Sequence, residues 1–140
     1  MKTLQWFNKQ NPSGIVLPSS SSKSATSVST FYNDNIIECV IGALADEEIV
    51  TIETPFGFEI TDAYSRVLNG ENVSSKTVII KNTTTAVTNA MSVAAALGIA
   101  RATTIDTGQT VFLAGDNDLN IVSSDHASGS MTVYIKVRPS

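Results

Sequence analysis

The chain has 140 residues, enough for one domain with a real core and too few to expect two. Charged residues make up 16% of it, below the share in an average soluble domain, so its surface is polar but weakly charged. Its net charge is −4 and its nine basic residues form no run, which excludes nucleic acid as a main partner, because phosphate binding needs clustered Lys and Arg.

A single cysteine, Cys39, excludes an internal disulfide and a cysteine-based zinc site. It stands in the apolar run Ile36-Ile37-Glu38-Cys39-Val40-Ile41 and reads as a buried strand residue. No apolar stretch approaches the ~18–20 residues of a membrane span. Leu4, Trp6 and Phe7 give way at once to Asn8-Lys9-Gln10-Asn11, too short a run for the apolar centre of a signal peptide. These features predict a soluble protein made in a cytoplasm, with no membrane partner.

Taken in chain order, residues 1–30 read as an extended arm and residues 31–140 as a domain. The arm opens with the anchor Leu4, Trp6 and Phe7, turns at Asn11-Pro12-Ser13-Gly14, and continues with Ile15-Val16-Leu17-Pro18. The stretch from Ser19 to Thr30 is almost entirely Ser, Thr, Ala and Lys. With so little to bury it cannot offset its ordering entropy, so it reads as a compliant tether. Leu4, Trp6, Phe7, Ile15, Val16 and Leu17 are then the residues a partner would hold. Fully extended, thirty residues reach at most ~100 Å.

From Phe31 onward strands alternate with turns. Ile36 to Gly42 suits a buried strand; Ile49 to Glu53 follows the turn at Ala45 to Glu48; Phe58 to Tyr64 alternates with period two. Asn69-Gly70 marks a turn before Lys76 to Lys81. Ala86 to Gly98 carries apolar residues at helical spacing yet tolerates a strand, and reads as a strand to about Val93 followed by one helical turn or a loop. Thr110 to Ala114 and Leu119 to Val122 flank the turn Gly115-Asp116-Asn117-Asp118. In Met131 to Arg138, the cleanest strand, Met131, Val133, Ile135 and Val137 share one face and Thr132, Tyr134, Lys136 and Arg138 the other. The whole predicts an all-β fold: a jelly-roll-like antiparallel β-sandwich with an extended N-terminal arm.

Candidate chemistry is sparse. His126, the only histidine, follows Asp125, and sequence neighbours do not converge on a serine as a hydrolytic triad requires; no Gly-x-Ser-x-Gly elbow is present. Asp116, Asp118 and Asn120 match the first positions of a calcium loop, but Ile121 stands where the loop needs Gly and Ala127 where it needs Glu. Glu47, Glu48, Glu53, Glu59 and Asp62 read as a solvated acidic edge rather than a glycosidase pair. Candidates for stacking on a sugar are Tyr64, Tyr134 and Phe56, beyond Phe31-Tyr32. No enzymatic activity and no cofactor are expected.

The succession Thr77-Val78-Ile79-Ile80-Lys81-Asn82, Val87 to Val93, Ala100 to Asp106, Gln109 to Leu113 and Val133 to Val137 resembles small β-sandwich proteins of tailed-bacteriophage structural gene clusters. Those proteins serve as capsid decoration (cement) or head-fibre components. The likeness covers about residues 75–138 and lies in strand rhythm. It implies a virion protein on the capsid exterior that binds the major capsid protein and reinforces contacts between its subunits, often as a homotrimer gripping through an N-terminal arm. The alternative it leaves open is a head-fibre or tail-fibre host-recognition module that binds a cell-surface glycan.

Overall fold

The last strand of the chain lies in the middle of a sheet, and the fold is easiest to build outward from it. In a computed structural model the described residues are 15–21, 27–42, 48–68, 76–93, 99–114, 118–123 and 130–139. They form thirteen strands: β1 (Ile15–Val16), β2 (Ser19–Ser21), β3 (Val28–Asn33), β4 (Ile36–Ile41), β5 (Glu48–Ile52), β6 (Phe58–Leu68), β7 (Lys76–Asn82), β8 (Thr85–Ala86), β9 (Met91–Val93), β10 (Ile99–Arg101), β11 (Val111–Phe112), β12 (Leu119–Ser123) and β13 (Ser130–Pro139).

β13 pairs antiparallel with β4 on one side and β6 on the other. The larger sheet runs β1-β3-β4-β13-β6-β10, with β11 also on β6. The smaller runs β2-β5-β12-β7-β8, with β9 also on β7. Every pairing is antiparallel. The order β4-β13-β6-β10 facing β5-β12-β7-β9 sends the chain back and forth between two sheets and brings its last strand beside an early one. This is the jelly-roll arrangement of an antiparallel β-sandwich.

Alternation explains the layers. Ile37, Cys39 and Ile41 of β4, Met131, Val133, Ile135 and Val137 of β13, and Phe58, Ile60 and Ala63 of β6 turn inward. Val50, Ile52, Val78, Ile80, Leu119 and Ile121 meet them from the smaller sheet in one apolar core. Phe112 stacks on Phe58 with centroids 4.8 Å apart and closes one end. The β3–β4 hairpin turns on Asp34 and Asn35, whose φ values of 50° and 62° are those of a two-residue primed turn, and Asp and Asn tolerate that region best after Gly.

The strands after residue 31 follow the sequence reading, with three adjustments. β6 continues past Tyr64 to Leu68, the strand expected over Thr110 to Ala114 is only Val111–Phe112, and β10 (Ile99–Arg101) stands where no strand was expected. In the ambiguous segment the strand alternative holds as far as Val93, broken between β8 and β9. There Val87 and Thr88 turn inward, and the backbone N–H of Ile80 donates to the Thr88 hydroxyl at 3.1 Å. Residues 94–98 lie outside the described residues.

The N-terminal boundary is the correction. Ile15 and Val16 pair with Tyr32 and Phe31, and Ser19 to Ser21 pair with Ile52 to Val50. Residues 15–21 therefore cross from the open edge of one sheet to the open edge of the other. Ile15 and Leu17 are buried in the protein's own core. The Leu17 N–H donates to the Thr30 carbonyl at 2.9 Å, and the buried Thr30 hydroxyl donates back to the Leu17 carbonyl. A Ser-rich segment can serve here because an edge strand is held by its backbone, and a Thr in an apolar core is tolerated once its hydroxyl is bonded. Residues 22–26 lie outside the described residues.

Two outcomes follow. Removing residues 1–14 leaves the melting temperature nearly unchanged. Removing residues 1–26 takes away Ile15 and Leu17 at about 1.5–3 kcal/mol each, a large share of a typical folding stability of about 5–15 kcal/mol. Equal thermal melts for the two truncations would contradict this placement. Burial also pushes the Cys39 thiol up from 9.0 to about 12. The unfolded chain therefore releases that proton first as pH rises, and the thiol's contribution to stability, complete below pH 9, is lost towards pH 12. Iodoacetamide should modify Cys39 only in denaturant, and rapid modification of the native protein would contradict its burial.

Candidate binding face on the larger sheet

Period-two alternation that buries one set of side chains presents the other set outward, and register decides which of them meet. On the outer face of the larger sheet one row crosses six strands. Val16 pairs with Phe31, Phe31 with Glu38, Glu38 with Tyr134, Tyr134 with Tyr64, and Tyr64 with Arg101.

At the centre of the row Tyr64 and Tyr134 stack, with centroids 4.8 Å apart and planes 19° apart. The Arg101 guanidinium lies 6.0 Å from the Tyr64 centroid and is tied to Asp62 at 2.9 Å. Such cation–ring contacts contribute about 0.5–1 kcal/mol at exposed sites. Tyr64 thus has a partner on each face. Tyr134 has Tyr64 on one face and turns the other towards β4, where Glu38 stands. Burial, and then the negative charge of Glu38, raise the Tyr134 phenol above its ordinary 10.0; Arg66 opposes them and Tyr64 adds to them. Glu38 itself is half-buried and makes no hydrogen bond or ion pair among the described residues.

Between Phe31 and Tyr134 the face holds a concavity of about 450 Å³, bounded at one end by Asn33, Asp34 and Ile36 and floored by Glu38. The hairpin positions that end: the Tyr32 hydroxyl donates to Asn35 Oδ1 at 2.9 Å, and the Val137 N–H donates to the Asn35 carbonyl at 2.8 Å.

The sugar-stacking candidates divide on this face. Tyr64, Tyr134 and Phe31 come together. Phe56 instead packs on Tyr32 and Phe58, with centroids 4.7 Å and 6.0 Å away; Tyr32 is buried and Phe56 lies half-buried against the core. Of the anchor residues, Leu4, Trp6 and Phe7 lie outside the described residues. Ile15 and Leu17 are buried, and Val16 is 63% exposed. Glu38 stands in an otherwise apolar run, and its alternation with buried Ile37 and Cys39 is the signal that marks it as outward-facing.

The remaining candidate chemistry is dispersed. Glu59 is ion-paired with Arg138, and Asp62 with Arg101. His126, Asp125, Asp116 and Asn117 lie outside the described residues. Among the described residues no group of three or more His, Cys, Asp or Glu is placed to hold a metal ion. No helix of the described residues is long and apolar enough to cross a membrane. No protein-family model matches the chain, and no curated protein matches it.

The contact between Glu38 and Tyr134 can be read in solution. Glu38→Gln removes a negative charge that opposes phenolate formation, so the Tyr134 ionisation, followed by tyrosine ring NMR shifts, should move down towards the ordinary value. An unchanged titration would place the carboxylate elsewhere.

Proposed function

We propose that the chain is a non-enzymatic structural protein that decorates the outer surface of a tailed-bacteriophage capsid, binding the major capsid protein and reinforcing contacts between its subunits. The observation that carries this reading is the course of residues 15–21 along the open edges of both sheets. Residues 1–14, with Leu4, Trp6 and Phe7, join the fold at that point, so a pull on them is borne by backbone hydrogen bonds to both layers. Sandwich strand order, low charge and the resemblance in strand rhythm support the same reading.

The arithmetic of the anchor is favourable. Trp6 buries about 150–250 Å² in a pocket, worth roughly 4–6 kcal/mol at about 25 cal/mol per Å². Ordering costs about 1–2 kcal/mol per residue, which confines the favourable contacts to a short anchored piece. With residues 15–21 held in the sheets, fourteen residues reach at most ~50 Å, still enough to meet an adjoining subunit. Exposed Val16 lies where that piece begins and extends the contact surface. A homotrimer is part of the proposal, and Cys39, sealed in the core with a raised thiol pKa, has no part in chemistry.

A second reading, a head-fibre or tail-fibre module that recognises a host glycan, is favoured by one observation: the aromatic and carboxylate-lined concavity on the larger sheet.

Mixing the purified protein with emptied capsids and imaging them tests the first reading. The full chain should occupy regular positions on the shell, and Trp6→Ala or removal of residues 1–14 should abolish occupancy while leaving the melt intact. Equal decoration by the shortened chain would remove the arm from the contact. Sedimentation gives the oligomer directly: a trimer is expected, and a stable dimer would count against threefold placement.

A further inference from the structure

We propose that the concavity between Phe31 and Tyr134 binds a neutral sugar residue of a glycan. This gives the host-recognition reading a site and a ligand class, and rests on it.

The walls suit one ring. Phe31 and Tyr134 flank Glu38 on the two neighbouring strands, so their backbones stand roughly 10 Å apart. A flat group between two apolar walls needs two carbon contacts of about 3.5–4 Å each, which that spacing accommodates. Tyr134 is held upright by its stack on Tyr64, itself braced by Arg101, so the face it turns to the concavity is set before any ligand arrives. A pre-set aromatic face loses little entropy on binding.

The floor selects the chemistry. Glu38 and Asp34 line the concavity with carboxylates, which only accept hydrogen bonds when ionised. Their ligand must therefore bring donors, and adjacent hydroxyls on a pyranose present two in the fork a carboxylate takes. Phe31, Ile36 and Tyr134 supply apolar area for the C–H face of the same ring. An acidic sugar would meet two carboxylates in a protein of net charge −4. A cationic ligand would find Glu38 and Asp34 offset on the same sheet face by Arg66 and Lys136, with Arg101 and Asp62 already paired to each other, which leaves no strong field that favours it. A neutral polyol with an apolar face matches both the carboxylates of the floor and the apolar walls.

Affinity electrophoresis of the full chain through gels containing dextran, mannan, galactomannan or mixed-linkage β-glucan tests the proposal. At least one should retard the protein, and added salt should leave the retardation unchanged because the ligand is uncharged. Glu38→Gln keeps the shape of the floor and should weaken binding by about tenfold or more, as should Tyr134→Ser, each with a melt near that of the original chain. Retardation that survives both substitutions would overturn the site while leaving glycan recognition standing elsewhere. No retardation by any of the four would overturn the site and the host-recognition reading together. Retention on polylysine that salt abolishes, with none on the neutral gels, would identify a cation as the occupant and overturn the proposal.

Discussion

Insertion of β13 between β4 and β6 is the constraint on which the rest of the structure depends. Its inward side chains, Met131, Val133, Ile135 and Val137, occupy the middle of the core, and its two ladders join β4 to β6, the longest of the described strands. Among the described residues no other strand pairs with both β4 and β6. Slipping β13 by one residue would turn four apolar side chains out to water, so the register is held by a penalty of several side-chain burials at about 1.5–3 kcal/mol each. That register sets Tyr134 beside Tyr64 and Glu38, and the outer face is thus a product of core packing on the other side of the same strand.

The N-terminal segment closes the sandwich in a different way. Ile15 and Leu17 cap the core where the two sheets part, and Ser19 to Ser21 cover the edge of β5 with backbone alone. Ending the two sheets here in strands of two and three residues leaves only short rows of unpaired N–H and C=O groups, which limits edge-to-edge aggregation. Within the row itself, the single strand position Glu38 meets two neighbours through register, Phe31 and Tyr134, and the hairpin at Asp34 and Asn35 fixes where the concavity ends.

Much of this was legible in the residues, for reasons specific to each element. β13 alternates without a fault, and β4, β5, β7 and β12 are short apolar runs between turn residues, so their existence followed from period and punctuation. The edge strands did not, because Ser19 to Ser21 carry no apolar signal and are held by a partner strand about thirty residues away. The arm reading failed at Ile15 and Leu17 for a related reason: an apolar triplet beside a Ser-rich stretch looks the same whether it caps its own core or another protein's. Phe31, Tyr64 and Tyr134 could be named as stacking residues from composition. Their meeting around Glu38 could not, since they sit on three strands that only the jelly-roll order brings side by side.

The register of β13 is therefore the most direct place to test the whole structure. Cross-strand nuclear Overhauser contacts in the full chain should link the backbone of Tyr134 to Tyr64 on one side and to Glu38 on the other. Contacts displaced by one residue, to Ser65 or Cys39, would put the tyrosine pair on opposite faces and contradict both the core and the outer face built on it.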